Sequence, residues 1–153
     1  MGFFSSLANS ITGGWANVAL SFGPATRGEP LEVSIVVAVK SSDILVNEVY
    51  LNVECREVVS VPNYQLRDPQ NPDQVRSITI HESTSLHRVK QIVAPGDNFS
   101  AHSQHRFTAS VDLPPNLPPS YNGRYVRLEW VALAGLDMKG NDPDSGWQPI
   151  MVS

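Results

Sequence analysis

The stretch NLPPSYNGRYVRLEWVALAGLD, residues 116–137, decides the fold of this chain. In its later part, apolar residues occupy every second position: Val126, Leu128, Trp130, Ala132 and Ala134. Arg127 and Glu129 lie on the other side. The alternation therefore predicts a β-strand with one buried face and one solvated face. The solvated face carries Arg127 and Glu129 as a charged pair.

Two proline pairs, Pro114-Pro115 and Pro118-Pro119, precede this strand. Proline has no backbone donor and a fixed φ, so it ends strand pairing and favours an extended backbone. The prolines therefore predict that the preceding strand stops pairing and that the chain crosses the end of a sandwich before the next strand begins.

The same period of two recurs along most of the chain. Clear strand patterns occupy residues 15–22, 31–40, 46–59, 104–112 and 147–152, and weaker ones occupy 77–82 and 86–93. Segments rich in glycine and proline, such as 23–30 and 94–98, predict turns between them. About seven or eight strands without interleaved helices predict an all-β, immunoglobulin-like antiparallel sandwich over residues 15–153, as a single domain.

Two internal segments have less regular patterns. Residues 60–76 contain three prolines and many polar groups, and predict either a long loop or an excursion beyond a hairpin. His81 and His87 flank ESTSL, residues 82–86, which we interpret as a hairpin tip or bend.

The N-terminal residues 1–12 predict a short amphipathic helix, because four apolar residues share one helical face: Phe3, Phe4, Leu7 and Ile11. We expect this face to dock on the sandwich or on a partner subunit. The alternative is weak contact with a membrane surface, and residues 1–6 also match the short pattern for N-myristoylation.

Composition excludes several classes of protein. The 153 residues carry a net charge of −4 with 11 scattered Lys and Arg, which disfavours nucleic-acid binding. Cys55 is the single cysteine, so an internal disulfide is impossible, and its strand pattern predicts an inward-facing small hydrophobe. No apolar run is long enough to span a bilayer, and the default expectation is a cytoplasmic protein.

Candidate chemical groups are few. His102 and His105 have the i, i+3 spacing of helical metal ligands, but a strand would point them to opposite sides. The loop 137–144 is rich in acidic residues and could bind calcium, although a solvated turn is the simpler interpretation. Ser83 and Ser85 near His87 lack a nucleophile elbow. We therefore expect no catalytic residue, no metal site and no cofactor.

Four consecutive segments together resemble the arrestin-like fold: LPPNLPPSY (113–121), RYVRLEWVALAGLD (124–137), MKGNDPDSG (138–146) and WQPIMV (147–152). The pattern is most similar to small prokaryotic arrestin-like proteins and the sporulation-control family, in which a Pro-x-Ser segment precedes a strand of the form aromatic-x-Val-x-x-x-Trp. The N-terminal MGFFSSLANSI (1–11) also resembles that family's short Phe-Phe helix. Ser34 stands near the place of a glycine that is usual in the family.

This resemblance implies a non-enzymatic interaction module, an adaptor, scaffold or regulator that offers sheet edges and loops to protein partners or to further copies of itself. Phosphate sensing does not transfer, because the chain has length for one sandwich and receptor arrestins have two. Tyr121 and Trp147 follow turn segments and are either partner contacts or core residues. A metal-dependent binding protein is a further alternative.

The membrane alternative is tested by deleting residues 1–12. If the apolar helical face binds bilayers, the full chain sediments with liposomes and the shortened chain stays in the supernatant. Equal sedimentation of the two chains would exclude membrane contact through these residues.

Overall fold

Two antiparallel sheets pack against each other in the computed structural model, which describes residues 14–140 and 142–153. The smaller sheet has the order β1-β2-β5, with strands at Ala16–Phe22, Pro30–Val39 and Gln104–Asp112. The larger has the order β4-β3-β7-β6, with strands at Val75–Phe99, Ile44–Arg67, Val126–Asp137 and Tyr121–Asn122. A short strand, β8 (Gln148–Ile150), also pairs with β7. The predicted all-β antiparallel sandwich is confirmed.

The core forms where the inward residues of the two sheets meet. Val33, Ile35 and Val37 on β2 and Leu51 and Val53 on β3 are buried in one core cluster. Burying one such side chain stabilises the fold by about 1.5–3 kcal/mol. The alternation read from the sequence therefore assigns the core side of these strands correctly.

The proline segment carries the chain from one sheet to the other, as predicted. β5 ends in the smaller sheet and β6 begins in the larger one, so residues 113–120 cross the end of the sandwich. At its start, Gly28 N donates to the Leu113 carbonyl at 2.7 Å. Near its end, the indole Nε1 of Trp130 donates to the Pro118 carbonyl at 2.9 Å. The buried ring of β7 thereby fixes the path of the crossing.

Ser120 joins this crossing to the C-terminal strand. Its N–H donates to the Val152 carbonyl at 2.8 Å, and its hydroxyl accepts from Val152 N at 2.9 Å and donates to the Ile150 carbonyl at 3.1 Å. One residue thus satisfies three backbone groups at the point where β6 and β8 meet along the edge of β7.

The structure of β4 differs from two expectations drawn from the sequence. It is one strand of 25 residues, so neither the bend at 82–86 nor the turn at 94–98 exists. Register shifts opposite β3 absorb the irregular pattern, because a β-bulge inserts a residue without ending the strand. Pro95 is tolerated because β4 is an edge strand. Gly96 is required because a Cβ there would lie 2.5 Å from the carbonyl oxygens of Val46 and Asn47.

The proline-rich segment 60–76 is an excursion beyond a hairpin, one of the two alternatives left open by the sequence. Ladder pairing between β3 and β7 ends at Val59, whereas β3 and β4 remain paired as far as Arg67 and Val75. Residues 60–67 and 75–82 therefore form a two-stranded ribbon, and residues 68–74 form its tip.

The predicted N-terminal helix over residues 1–12 lies outside the described residues. In the part of the chain that is described, no helix is long and apolar enough to cross a membrane. Cys55 is fully buried, as its strand position predicts. Burial, followed by the nearby charge of Glu54, raises the pKa of its thiol to about 11.

Removing the Ser120 hydroxyl should weaken the junction between the crossing and the C-terminal strand. Ser120→Ala leaves Val152 N without its side-chain acceptor, and we expect a loss of about 1–3 kcal/mol in the free energy of unfolding. Urea denaturation measures this loss. Ser110→Ala, at an exposed strand position, is the matched control and should change stability by less than about 0.5 kcal/mol. Equal stability of both variants would contradict the role given to Ser120.

The raised pKa of Cys55 should make its thiol unreactive. A pKa of about 11 in place of the ordinary 9.0 lowers the thiolate fraction at pH 8 roughly 100-fold, and burial further blocks access. We expect Ellman's reagent to modify Cys55 at least about 100-fold more slowly in the native protein than in urea. Comparable rates in the two conditions would show that the residue is exposed.

Candidate protein-interaction groove

A groove of about 470 Å³ lies on the solvated side of the larger sheet, at the edge where β6 and β8 flank β7. Its side chains come from β3, β7, the crossing segment and the chain around β8. Six of them define its character: Arg56, Arg127, Glu129, Tyr121, Trp147 and Met151. We call this feature the edge groove.

The charged floor of the edge groove is built by strand register. Arg56 on β3 lies directly opposite Glu129 on β7 and donates from Nε to Oε2 at 3.0 Å. Arg127, two residues before Glu129 on the same face, donates from Nε to Oε1 at 3.0 Å. The carboxylate therefore accepts from two guanidinium groups, which leaves the cluster with a net charge of +1.

The electrostatics of Glu129 follow from these contacts. Partial burial raises its pKa, but the hydrogen bonds and charges of Arg56 and Arg127 outweigh burial and hold the pKa below its ordinary value. Glu129 is therefore ionised near neutral pH. Both arginines use Nε for this contact, and in the described residues their terminal nitrogens have no hydrogen-bond partner. Those nitrogens are the groups that can bind an added anion.

Trp147 forms one wall of the edge groove, and hydrogen bonds of Ser145 hold the loop that precedes it. The Ser145 side chain is buried, where its hydroxyl accepts from Ala134 N at 3.0 Å and donates to the Gly146 carbonyl at 2.9 Å. The indole ring remains 38% exposed and lies 5.9 Å from the Arg88 guanidinium of β4. The loop thus holds a large aromatic ring over the solvated face.

Tyr121 and Met151 complete the apolar wall. Tyr121 is 58% exposed and Met151 is 70% exposed, and Ser120 ties their two chain segments together. The Tyr121 ring packs closely against Gly123, because a Cβ at that position would lie 2.6 Å from Tyr121 Cε1. Three exposed apolar side chains therefore surround one compact charged cluster.

The structure brings together two of the six contact residues named from the sequence. Tyr121 and Trp147 line the same groove, and neither belongs to the buried core. Phe3, Phe4, Leu7 and Ile11 lie outside the described residues. Sequence reasoning predicted the pair of Arg127 and Glu129, but it missed Arg56, because the register between β3 and β7 joins residues 73 positions apart.

The histidine and acidic segments do not assemble a metal site within residues 14–140 and 142–153. His102 has a left-handed backbone (φ 60°) in a turn, and His105 stacks on Phe99 with ring centroids 4.0 Å apart. In the loop 137–144, Asp142 accepts from Met138 N and Asp144 accepts from Gly146 N. These two acidic side chains therefore form hydrogen bonds with the backbone of their own loop and the residues beside it.

The serines near His87 do not form a catalytic pair. Ser85 and His87 are both on β4, opposite Arg56 and Cys55 respectively, which point to different sides of the sheet. Among the described residues, no hydrogen bond joins His87 to Ser83 or Ser85.

No family model matches this chain. A search of curated proteins also finds no match.

Comparison with solved structures does find similar folds. One is the crystal structure of Spo0M, a sporulation control protein from Bacillus subtilis, with a TM-score of 0.63 and 17% sequence identity. The match covers 92% of this chain and 50% of the Spo0M chain, so this chain spans about half the length of that protein. The comparison confirms the arrestin-like fold that the sequence resemblance implied.

Proposed function

We propose that this arrestin-like sandwich is a non-enzymatic interaction module, an adaptor, scaffold or regulator, and that its edge groove binds a segment of a protein partner. The observation that carries the proposal is the grouping of three exposed apolar side chains around the cluster of Arg56, Arg127 and Glu129. The fold shared with a sporulation control protein supports a regulatory role of this general kind.

The composition of the edge groove suits protein binding. Trp, Tyr and Arg are the residue types that most often dominate the energy of protein interfaces, and methionine adapts to varied apolar partners. Hydrogen bonds of Ser145 fix the backbone before Trp147, and the Tyr121 ring lies in tight contact with Gly123, so binding costs little ordering of these side chains. A volume of about 470 Å³ is sufficient for a few partner side chains.

The charges of the edge groove define the partner segment. Glu129 neutralises only one of the two guanidinium groups, so an acidic side chain of the partner can bind the free terminal nitrogens. The chain as a whole carries a net charge of −4, so this local positive site differs in sign from the protein as a whole and is where an acidic side chain would bind. We therefore infer a segment with an Asp or Glu beside an aromatic or aliphatic residue.

The same contacts make the groove poorly suited to catalysis. Glu129 is held ionised by two arginines, so it is a weak general base and cannot act as a general acid near neutral pH. The Ser120 hydroxyl is occupied by two backbone groups of the C-terminal strand. The polar groups of the groove are arranged for charge recognition, and this supports binding over hydrolysis.

Selection from a random peptide display library tests the proposal. We expect the full chain to enrich peptides that combine an acidic residue with a neighbouring apolar residue. Trp147→Ala should weaken the binding of selected peptides by about 30-fold, the effect of removing an interface anchor. Trp15→Ala, which removes a tryptophan that is 47% exposed and does not line the edge groove, is the matched control and should leave affinity unchanged.

Charge recognition is tested with the same peptides. Arg127→Gln should reduce affinity for an acidic peptide by about 10-fold and leave its Asn or Gln analogue nearly unaffected. Peptides selected without acidic residues would contradict the charge assignment. Equal binding by the Trp147 and Trp15 variants, or no enrichment at all, would contradict the groove as the binding site.

A further inference from the structure

The ribbon formed by residues 60–67 and 75–82 has one apolar face. Val61 lies opposite Ile80 and Tyr64 lies opposite Ile78 in the ladder. Directly paired residues of antiparallel strands point to the same side, so these four side chains share a face, and Leu66 extends it toward the tip. Asn63, which has a positive φ of 55°, forms the bulge that keeps Val61 and Tyr64 on that face.

The opposite face of the ribbon is polar except for Val75, which lies opposite Arg67 next to the tip. Ser60 lies opposite His81 and Gln65 lies opposite Ser77, with Thr79 between them along β4. The ribbon is therefore amphipathic, like an antiparallel sheet that is packed on one face and solvated on the other.

The sandwich does not supply that layer within the described residues. None of the apolar residues of this face is among those that pack against the core cluster, and the strands of the smaller sheet are much shorter than β3 and β4, with 7, 10 and 9 residues against 24 and 25. Tyr64 is 46% exposed, and the other apolar side chains of the face are only half-buried. An isolated two-stranded hairpin is marginally stable in water, so this face gains from an external cover.

The charges at the two ends of the face fit a second copy of the same ribbon. Arg76, opposite Leu66, lies near the tip, and Glu82, opposite Val59, lies at the base, with Ile78 and Ile80 between them on β4. Arg76 and Glu82 are both exposed, and within the described chain neither forms an ion pair. When two such faces stack antiparallel, Arg76 of each copy meets Glu82 of the other.

We propose that two copies of this chain associate through the apolar faces of their ribbons, about a two-fold axis that passes between Ile78 and Ile80. The contact is isologous, because each copy uses the same surface. Two eight-residue strands offer a small face, so the buried area falls below the roughly 1,200 Å² of a standard stable interface. The dimer is therefore weak and depends on protein concentration, with dissociation in the micromolar range or above.

Sedimentation equilibrium of the full chain from about 1 μM to 1 mM tests the dimer, within the range of weak interfaces. We expect the average mass to rise toward two copies. Ile78→Ser should shift the dissociation constant at least 10-fold toward monomer, and Thr79→Ser on the polar face should leave it unchanged. A wild-type protein that stays monomeric across this range would overturn the proposal. Thermal unfolding of each variant establishes that it is folded.

Charge reversal identifies the geometry of the contact. Arg76→Glu alone and Glu82→Arg alone each place like charges together, so each variant should associate more weakly than the wild type. Mixing the two variants should restore association as a heterodimer, because each added charge then meets its opposite in both contacts. The double variant R76E/E82R should also dimerise like the wild type. Single variants that dimerise normally, or a mixture that stays monomeric, would exclude the antiparallel face-to-face arrangement.

Discussion

The hydrogen bond from the Trp130 indole to the Pro118 carbonyl links the two halves of this molecule. The tryptophan belongs to the core face of the larger sheet, and the proline belongs to the segment that arrives from the smaller sheet. Two residues later, the Ser120 hydroxyl forms hydrogen bonds with Ile150 at the end of β8 and with Val152 just beyond it. Because this short segment sets the relative positions of β6, β7 and β8, the fold and the edge groove depend on the same few contacts.

The groove is a consequence of how this edge is assembled. β7 pairs with two short strands in succession along one side, β6 first and β8 after it, in place of one long neighbour. Tyr121 at the start of β6 and Met151 just after β8 remain exposed, since no further strand of the described part of the chain covers them. The charged cluster then lies where β3 and β7 are in register. Side chains from four chain segments meet there.

Sequence patterns predicted the sandwich because alternation of apolar residues reports directly which face of a strand is buried, as along β2 and β7. They failed along β4, where bulges change the phase of the alternation and where Pro95 and Gly96 signal a turn that an edge strand does not need to make. They also named Tyr121 and Trp147 without showing that the two share a groove. Arg56 was missed because register between distant strands is set by packing, and a local pattern does not encode it.

The bulges of β4 also affect how well its free edge could pair with another chain. A 25-residue edge strand exposes a long row of unpaired backbone donors and acceptors, which in a flat strand would template the addition of further chains. The register shifts opposite Val49/Tyr50 and Cys55/Arg56 each insert an extra residue in β4, which interrupts that row at two points and increases its local twist. A strand from another molecule could follow the edge for only a few residues before losing alignment. The irregularity that obscured β4 in the sequence is thus of the kind that disfavours edge-to-edge pairing with other chains.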